Sequence, residues 1–308
     1  MDSGHVPVML DEAIEALDVV ASGRYVDGTF GRGGHARAIL ERLGPEGRLL
    51  ALDRDPIAAQ VAASWPRDSR FHFCSGNFST MAEQAERLWP GTPVNGVLLD
   101  LGVSSPQLDD AARGFSFTQD GPLDMRMDTR VGQPVAAWLN SASLDEIARV
   151  LDEFGEERFA RRVAKAIVER RLERPFSRTL DLATVVSAAI PAWEKHKHPA
   201  TRSFQALRIQ VNSELTDLRS CLESLPRFLA TGARVVVISF HSLEDRLVKR
   251  FFKGSDAGPR LPRGLPVAQP TKTSPFRLLG RPLRPSPAEQ QHNPRARSAI
   301  LRVAEFAP

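Results

Sequence analysis

Asp27 and the residues after it, Gly28-Thr29-Phe30-Gly31-Arg32-Gly33-Gly34, stand between an apolar run and a stretch of helical periodicity. Glycine lets the backbone turn tightly and approach a ligand, and a helix beginning directly after the turn offers N–H groups to an anion. A second apolar run, Leu49-Leu50-Ala51-Leu52, ends in Asp53. Its distance from the glycine turn is about that at which an acid in a strand-helix-strand unit accepts hydrogen bonds from ribose hydroxyls. Two elements therefore converge on one nucleoside.

The glycines at 28, 31, 33 and 34 do not spell G-x-G-x-x-G, the spacing that brings a backbone against pyrophosphate. This argues against a nicotinamide dehydrogenase. S-adenosylmethionine has no phosphate; it presents a carboxylate, an ammonium, a sulfonium and a ribose diol. Asp27 suits the ammonium, the amides from Gly33 to His35 suit the carboxylate, and Asp53 suits the diol. The methyl donor is the expected cofactor. Further candidates lie where other strands should end: Asn77-Phe78, with Phe78 suited to pack on adenine; Asp100-Leu101-Gly102-Val103-Ser104-Ser105-Pro106-Gln107, an acid followed by two hydroxyls; and Ser239-Phe240-His241-Ser242.

These clusters need a scaffold that delivers them to one edge. Strand patterns at 24–31, 48–55, 71–76 and 94–102 alternate with helices, which implies right-handed crossovers and a parallel sheet. Ligands in such sheets sit outside the carboxyl ends of the strands. The next comparable strand is 233–240, and the final strands are expected in 277–283 and 298–305, with the Pro-rich stretch 259–275 as a surface loop. Between them the chain reads as helices. Ser143-Leu144-Asp145-Glu146 has capping-box spacing with Gly155 as a stop, 156–173 is basic, and Pro191 ends a helix over 180–190. Phe204, Leu207, Val211, Leu215, Leu218 and Leu222 form one apolar stripe.

The chain has 308 residues, enough for a full α/β core and a second unit. Cys74 and Cys221 are too few for a disulfide framework or a zinc cluster, and no long apolar run or secretory pattern is present, so a cytoplasmic protein is expected. Net charge is +4, but residues 254–308 hold nine Lys or Arg against three acids. Arg158, Arg161, Arg162, Lys165, Arg170, Arg171 and Arg174 add a second basic stretch. Both suit a polyanionic partner. Arg161 could equally pair with Glu157, and Lys165 with Glu169, one helical turn away.

The pattern as a whole resembles the RsmH (MraW) family of ribosomal RNA cytosine N4-methyltransferases. The likeness runs in order through His5-Val6-Pro7-Val8-Met9, residues 27–35, Asp53-Arg54-Asp55, Gly76-Asn77-Phe78, residues 100–107, Arg113-Gly114-Phe115-Ser116-Phe117 and Pro122 to Asp128. It continues through Gly155-Glu156-Glu157, His198 to Arg202, Phe204 to Arg208, Val211 to Leu215, Ile238 to Arg246 and Asn293 to Arg302. The resemblance implies a class I S-adenosylmethionine-dependent methyltransferase (Rossmann-like) α/β sheet carrying an inserted all-helical domain. Residues 1–108 and 226–308 would form the first and 109–225 the insert. It maps Gly33, Gly34, His35, Asp53, Phe78, Asp100 and Gln107 onto cofactor contacts. It implies methylation of a specific cytidine in the decoding region of 16S ribosomal RNA; the sequence leaves open whether the RNA is met naked or within a 30S particle, and whether the protein is a homodimer.

An exocyclic cytosine amine is a poor nucleophile because its lone pair is delocalised into the ring. Acceptors that suit a pyramidal nitrogen should stabilise the transition state. Asp100, Ser104 and Ser105 are the catalytic candidates, and Phe115, Phe117 and Phe240 the candidates for stacking on the base. Neither cysteine follows a proline, as carbon-5 chemistry would ask, so nitrogen is the better target. His196-Lys197-His198 lacks the companions of a metal site, and His241 is either a base-orienting or a packed residue.

Overall fold

A computed structural model of the chain describes residues 7–192, 198–254 and 274–308. His5, Val6, His196 and Lys197, and nearly all of the Pro-rich stretch expected as a surface loop, lie outside these residues. The chain divides into two compact units, one of residues 1–102 and 215–308, the other of residues 103–214. The sequence reading placed the borders at 108/109 and 225/226.

The first unit is a seven-stranded sheet in the order β3-β2-β1-β4-β5-β7-β6. Its strands are β1 (Arg24–Asp27), β2 (Arg48–Asp53), β3 (Phe71–Ser75), β4 (Val94–Asp100), β5 (Leu229–Ser239), β6 (Phe276–Leu278) and β7 (Ile300–Phe306). The first five strands in that order are parallel; β7 runs antiparallel to β5 and β6 antiparallel to β7. Alternate residues supply two cores. Val26, Leu50, Leu52, Val97, Leu99, Val235 and Val237 face one layer, and Tyr25, Leu49, Ala51, Leu98, Val236 and Ile238 the other. Both faces are covered, which is why these strands read as continuous apolar runs. The covering helices include α1 (Leu10–Leu17), α2 (Gly34–Arg42), α3 (Pro56–Ala63) and α4 (Met81–Leu88) and, later in the chain, α11 (Glu214–Ser224) and α12 (Ser242–Phe252). Among the described residues no helix is long and apolar enough to cross a membrane.

The second unit contains α5 (Ser105–Asp109), α6 (Val135–Ser141), α7 (Leu144–Gly155), α8 (Ala160–Glu173), α9 (Thr179–Ala189) and α10 (Thr201–Asn212). The capping box of α7 forms as expected: the Ser143 hydroxyl accepts the Glu146 N–H at 3.2 Å and the Glu146 carboxylate accepts the Ser143 N–H at 2.8 Å. Helix α8 starts later than expected, because the Glu157 carboxylate accepts the Phe159 N–H at 2.9 Å and caps the turn before it. Lys165 pairs with Glu169, but Arg161 pairs with Asp145 rather than Glu157.

The apolar stripe from Phe204 to Leu222 is two helices, not one. Ser213 adopts a left-handed φ of 54° that ends α10, and α11 (Glu214–Ser224) begins beside it. Phe204 and Leu207 belong to the helical core, whereas Leu218, Cys221 and Leu222 pack in the sheet's core. After β5 come α12 (Ser242–Phe252) and α13 (Pro287–His292), and a 3-10 turn over Pro294–Ser298 leads into β7. The strand expected over 277–283 shrinks to β6, with Leu283 adding a single bridge to Leu301.

Asn212 stitches the helical unit together. Its side chain accepts the Met127 N–H at 2.7 Å and donates to the carbonyls of Met125 at 2.7 Å and Arg208 at 2.9 Å. Asn212→Ala leaves buried backbone groups unsatisfied and should lower the stability of this unit by about 3 kcal/mol in denaturant unfolding. Asn212→Asp should cost nearly as much, since a carboxylate has nothing to donate to the Met125 carbonyl.

Candidate functional site

The strand order reverses between β1 and β4, and the carboxyl ends of the strands beside that point each carry an acid: Asp27 on β1, Asp53 on β2 and Asp100 on β4. Such a switch point opens a crevice for ligands. The glycine turn extends the sheet's bonding across it, with the Gly28 N–H donating to the Leu98 carbonyl and the Phe30 N–H to the Leu52 carbonyl, both at 2.9 Å.

Thr29 joins two of the acids, a role the sequence reading did not give it. Its N–H donates to Asp27 Oδ1 at 3.0 Å, its hydroxyl also bonds to that carboxyl, and its Oγ1 accepts the Asp100 N–H at 2.6 Å. Asp53 is held from the loop side: Oδ2 accepts the Gly31 N–H at 2.7 Å and Oδ1 the Asp55 N–H at 2.8 Å. Each oxygen keeps a lone pair for one more donor.

Burial is the chief perturbation of all three acids. It lifts Asp27 from 3.8 to about 7, against the opposing pull of the Thr29 N–H and hydroxyl, with the Asp53 charge pushing further upward. Asp53 is raised by burial and partly relieved by the N–H groups of Asp55 and Gly31. Asp100 is raised well above the ordinary carboxylate range, by burial first and then by the charges of Asp27 and Glu244. Asp27 Oδ2 and Asp100 Oδ1 are buried without a hydrogen bond. His35 Nδ1 lies 3.9 Å from Asp100 Oδ2, beyond hydrogen-bond range. Buried carboxylate oxygens without partners suit a cationic ligand.

The two glycines that open α2 have structural reasons of their own. Gly33 has a φ of 78°, and a Cβ there would lie 2.1 Å from the Trp65 ring; a Cβ on Gly34 would lie 2.1 Å from Pro7. The Gly33 N–H donates to the Phe30 carbonyl at 2.7 Å, which leaves the first-turn amides of Gly34 and His35 as the better candidates for a carboxylate. No side chain caps this N-terminus. Phe78 follows β3 and lies under the Arg54 guanidinium, 5.9 Å from ring centre to Cζ; Arg54 in turn pairs with Asp217, which also accepts from Asn77.

Gln107, Ser104 and Ser105 belong to the helical unit. Ser104 caps α5, and Gln107 closes a capping box, its Oε1 accepting the Ser104 N–H at 2.9 Å. Ser105 is the first residue of that helix. Of the three aromatic candidates, Phe115 is buried in the helical core. Phe117 stacks on His198 at 4.6 Å and meets Phe204 edge-on. Phe240 lies against Gly102. His241 caps α12, with Nε2 3.2 Å from Glu244 Oε1. The acids and their glycine turn were visible in the sequence; the hydroxyl that connects them was visible too, but nothing local marks a threonine as a tie between two strands.

The donor set fits S-adenosylmethionine: an unbonded buried carboxylate oxygen for the ammonium, a helix N-terminus for the carboxylate, and Asp53 lone pairs for the ribose diol. Affinity for the donor should therefore rise with pH through about 7, since protonated Asp27 cannot pair with an ammonium, and should fall about tenfold per pH unit below that point. Calorimetry across pH checks this, and Asp27→Asn should flatten the profile. Without ligand the same shift has the opposite sign. Between pH 3.8 and about 7 the folded protein holds a proton that the unfolded chain has lost, so this group's contribution to stability declines as pH rises through that window. Asp27→Asn should accordingly raise the melting temperature of ligand-free protein at pH 8.

The profile of the MraW methylase family matches residues 2–307. The ribosomal RNA small subunit methyltransferase H of Thioalkalivibrio sulfidiphilus is 59% identical over 303 residues, 98% of this chain and 96% of that protein. Among solved structures, a Clostridium thermocellum protein provisionally described as an rRNA methylase aligns with a TM-score of 0.46 and 11% identity, over 99% of this chain and 98% of that one. An rRNA methylase of Streptococcus thermophilus aligns with a TM-score of 0.42 and 10% identity, over 97% and 94%. The match along nearly the whole chain carries the assignment: this chain belongs to the MraW methylase family and is a methyltransferase.

Proposed function

We propose that the protein transfers a methyl group from S-adenosylmethionine to the exocyclic N4 amine of one cytidine in the decoding region of 16S ribosomal RNA. The RNA is presented within the 30S particle in the cytoplasm. Support for a small-subunit RNA substrate comes from the 59% identical relative, whose name states it. The observation that carries the chemistry is the acidic edge at the switch point, where Asp27, Asp53 and Asp100 stand at three strand ends and Asp27 Oδ2 and Asp100 Oδ1 are buried without a partner.

Bound there, the donor supplies an electrophilic methyl on a sulfonium. Asp27 holds the ammonium, the Gly34 and His35 amides the carboxylate, Asp53 the ribose diol, Phe78 the adenine face, and Gln107 adds a polar contact. Holding sulfur, methyl and acceptor nitrogen in line accounts for a large part of the acceleration in a displacement of this kind. Asp100 and the oxygens of Ser104 and Ser105 accept hydrogen bonds from the amine as it pyramidalises, a stabilisation present only in the transition state. The chain itself runs from Asp100 to Ser104 through Leu101-Gly102-Val103, so one short segment supplies all three. The proposal leaves monomer and homodimer equally able to do this.

Asp53→Ala should weaken donor binding about 100-fold while single-turnover transfer at saturating donor changes little. The Ser104→Ala, Ser105→Ala double variant should keep donor affinity and slow transfer about tenfold or more. Calorimetry and single-turnover assays separate the two roles; equal losses in both properties for both variants would contradict the division. Digestion of unmodified 30S subunits after incubation with isotopically labelled donor, followed by mass spectrometry, should show one labelled N4-methylcytidine. Label on carbon 5, or on no nucleoside, would contradict the reading.

A further inference from the structure

Five of the described arginines near the carboxyl terminus fall into two groups. Arg277 donates to Glu305 at 2.7 Å, and Arg302 grips Asp245 at 2.6 and 3.0 Å, so both strand arginines have carboxylate partners. Arg281, Arg284 and Arg297 lie between β6 and β7, are exposed, and have no carboxylate partner among the described residues. The one acid in the segment 279–299 is Glu289, and its Oε1 already accepts the Met9 N–H at 2.7 Å.

Packing brings these side chains to one place. Leu283 and Leu301 exchange hydrogen bonds at 2.9 and 3.0 Å, which fixes the segment carrying Arg281 and Arg284 beside the start of β7. Gln290 Nε2 donates to the Pro285 carbonyl at 2.9 Å. Gln290 also lines an open concavity of about 510 Å³ with Pro287, Gln291, Pro294 and Arg297. Arg297 thus lines this shallow concavity, and Arg284 directly precedes the proline that Gln290 bonds to.

The register says which edge of the sheet this is. Ser239, the last residue of β5, pairs with Ile300, the first of β7. Residues leading into β7 therefore stand at the carboxyl ends of the parallel strands, the edge that carries Asp27, Asp53 and Asp100. A chain of contacts joins the two places: Glu289 bonds to Met9, and Pro7 packs on Gly34 at the head of the glycine turn.

We propose that Arg281, Arg284 and Arg297 form a surface that tracks the phosphates of the RNA strand carrying the target nucleotide. This rests on the ribosomal RNA reading given above. A crevice built from three carboxylates repels a polyanion, and guanidinium groups on the same edge offset that repulsion where the strand must approach. Arginine suits the task because its planar fork donates two parallel hydrogen bonds to a phosphate. The arginines already paired on the strands contribute nothing comparable.

The test is binding of an unmodified small-subunit ribosomal RNA transcript over a range of salt concentrations. The Arg281→Gln, Arg284→Gln, Arg297→Gln triple variant should reduce the slope of log affinity against log salt by about 2, at about 0.7 per single-strand phosphate contact. Its calorimetric affinity for S-adenosylmethionine should match wild type, which shows that the fold is intact. A control triple, Arg42→Gln, Arg67→Gln, Arg227→Gln, removes the same charge from exposed positions that precede β2, β3 and β5, at the opposite strand ends, and should leave the slope unchanged. Equal slopes for the two triples would overturn the proposal while leaving the function intact. Failure of the wild type to bind the transcript at any salt concentration would instead overturn the ribosomal RNA reading, and this surface with it.

Discussion

Like charges held together away from water dominate this structure. Parallel strands all point the same way, so an acid at the end of each of β1, β2 and β4 arrives at one edge, and burial raises the pKa of all three. Such an arrangement disfavours ionisation unless something positive enters. Backbone hydrogen bonds from Thr29, Gly31 and Asp55 steady the carboxyls of Asp27 and Asp53 without neutralising them. A cationic ligand is the kind that the unpartnered oxygens of Asp27 and Asp100 favour. The same charges that favour the donor oppose RNA, and that conflict makes the placement of the protein's arginines matter.

The glycine turn illustrates how one sequence feature serves several constraints. Gly33 needs a left-handed backbone and leaves room for Trp65, while Gly34 leaves room for Pro7. These contacts fix the angle at which α2 leaves the sheet, and hence where its first-turn amides point. Replacing either glycine would disturb helix placement before it touched any ligand. The sheet unit thereby carries every group assigned to the donor except Gln107, which sits in α5 and is tied to Ser104. The acceptor side of the chemistry is assigned to the same short segment that leads out of β4.

Much of this organisation is legible in the sequence because it is local. Buried parallel strands give continuous apolar runs, the Ser143–Glu146 capping box announces α7, and acids closing apolar runs mark strand ends. The break between α10 and α11 was illegible for a physical reason. Ser213 enters the left-handed region without being glycine, so the apolar spacing continues across the break although its two halves enter different cores. The Thr29 tie joins residues 71 positions apart and the Glu289–Met9 bond residues 280 apart; neither leaves a local pattern. Arg161 found its partner on the preceding helix rather than one turn away, because tertiary packing brought Asp145 within 3.1 Å. Phe115 looked like a base-stacking ring and is a core residue, a distinction that spacing alone does not make.

The central claim is that buried carboxylates select a cationic amino acid headgroup on the donor. It is tested most directly by comparing, at pH 8, the calorimetric affinities of S-adenosylhomocysteine and of its analogue lacking only the α-amino group. If Asp27 holds that ammonium in the crevice, the analogue should bind about 100-fold more weakly, as expected for losing a charge-assisted hydrogen bond to a buried carboxylate. Affinities within about threefold of each other would contradict the account.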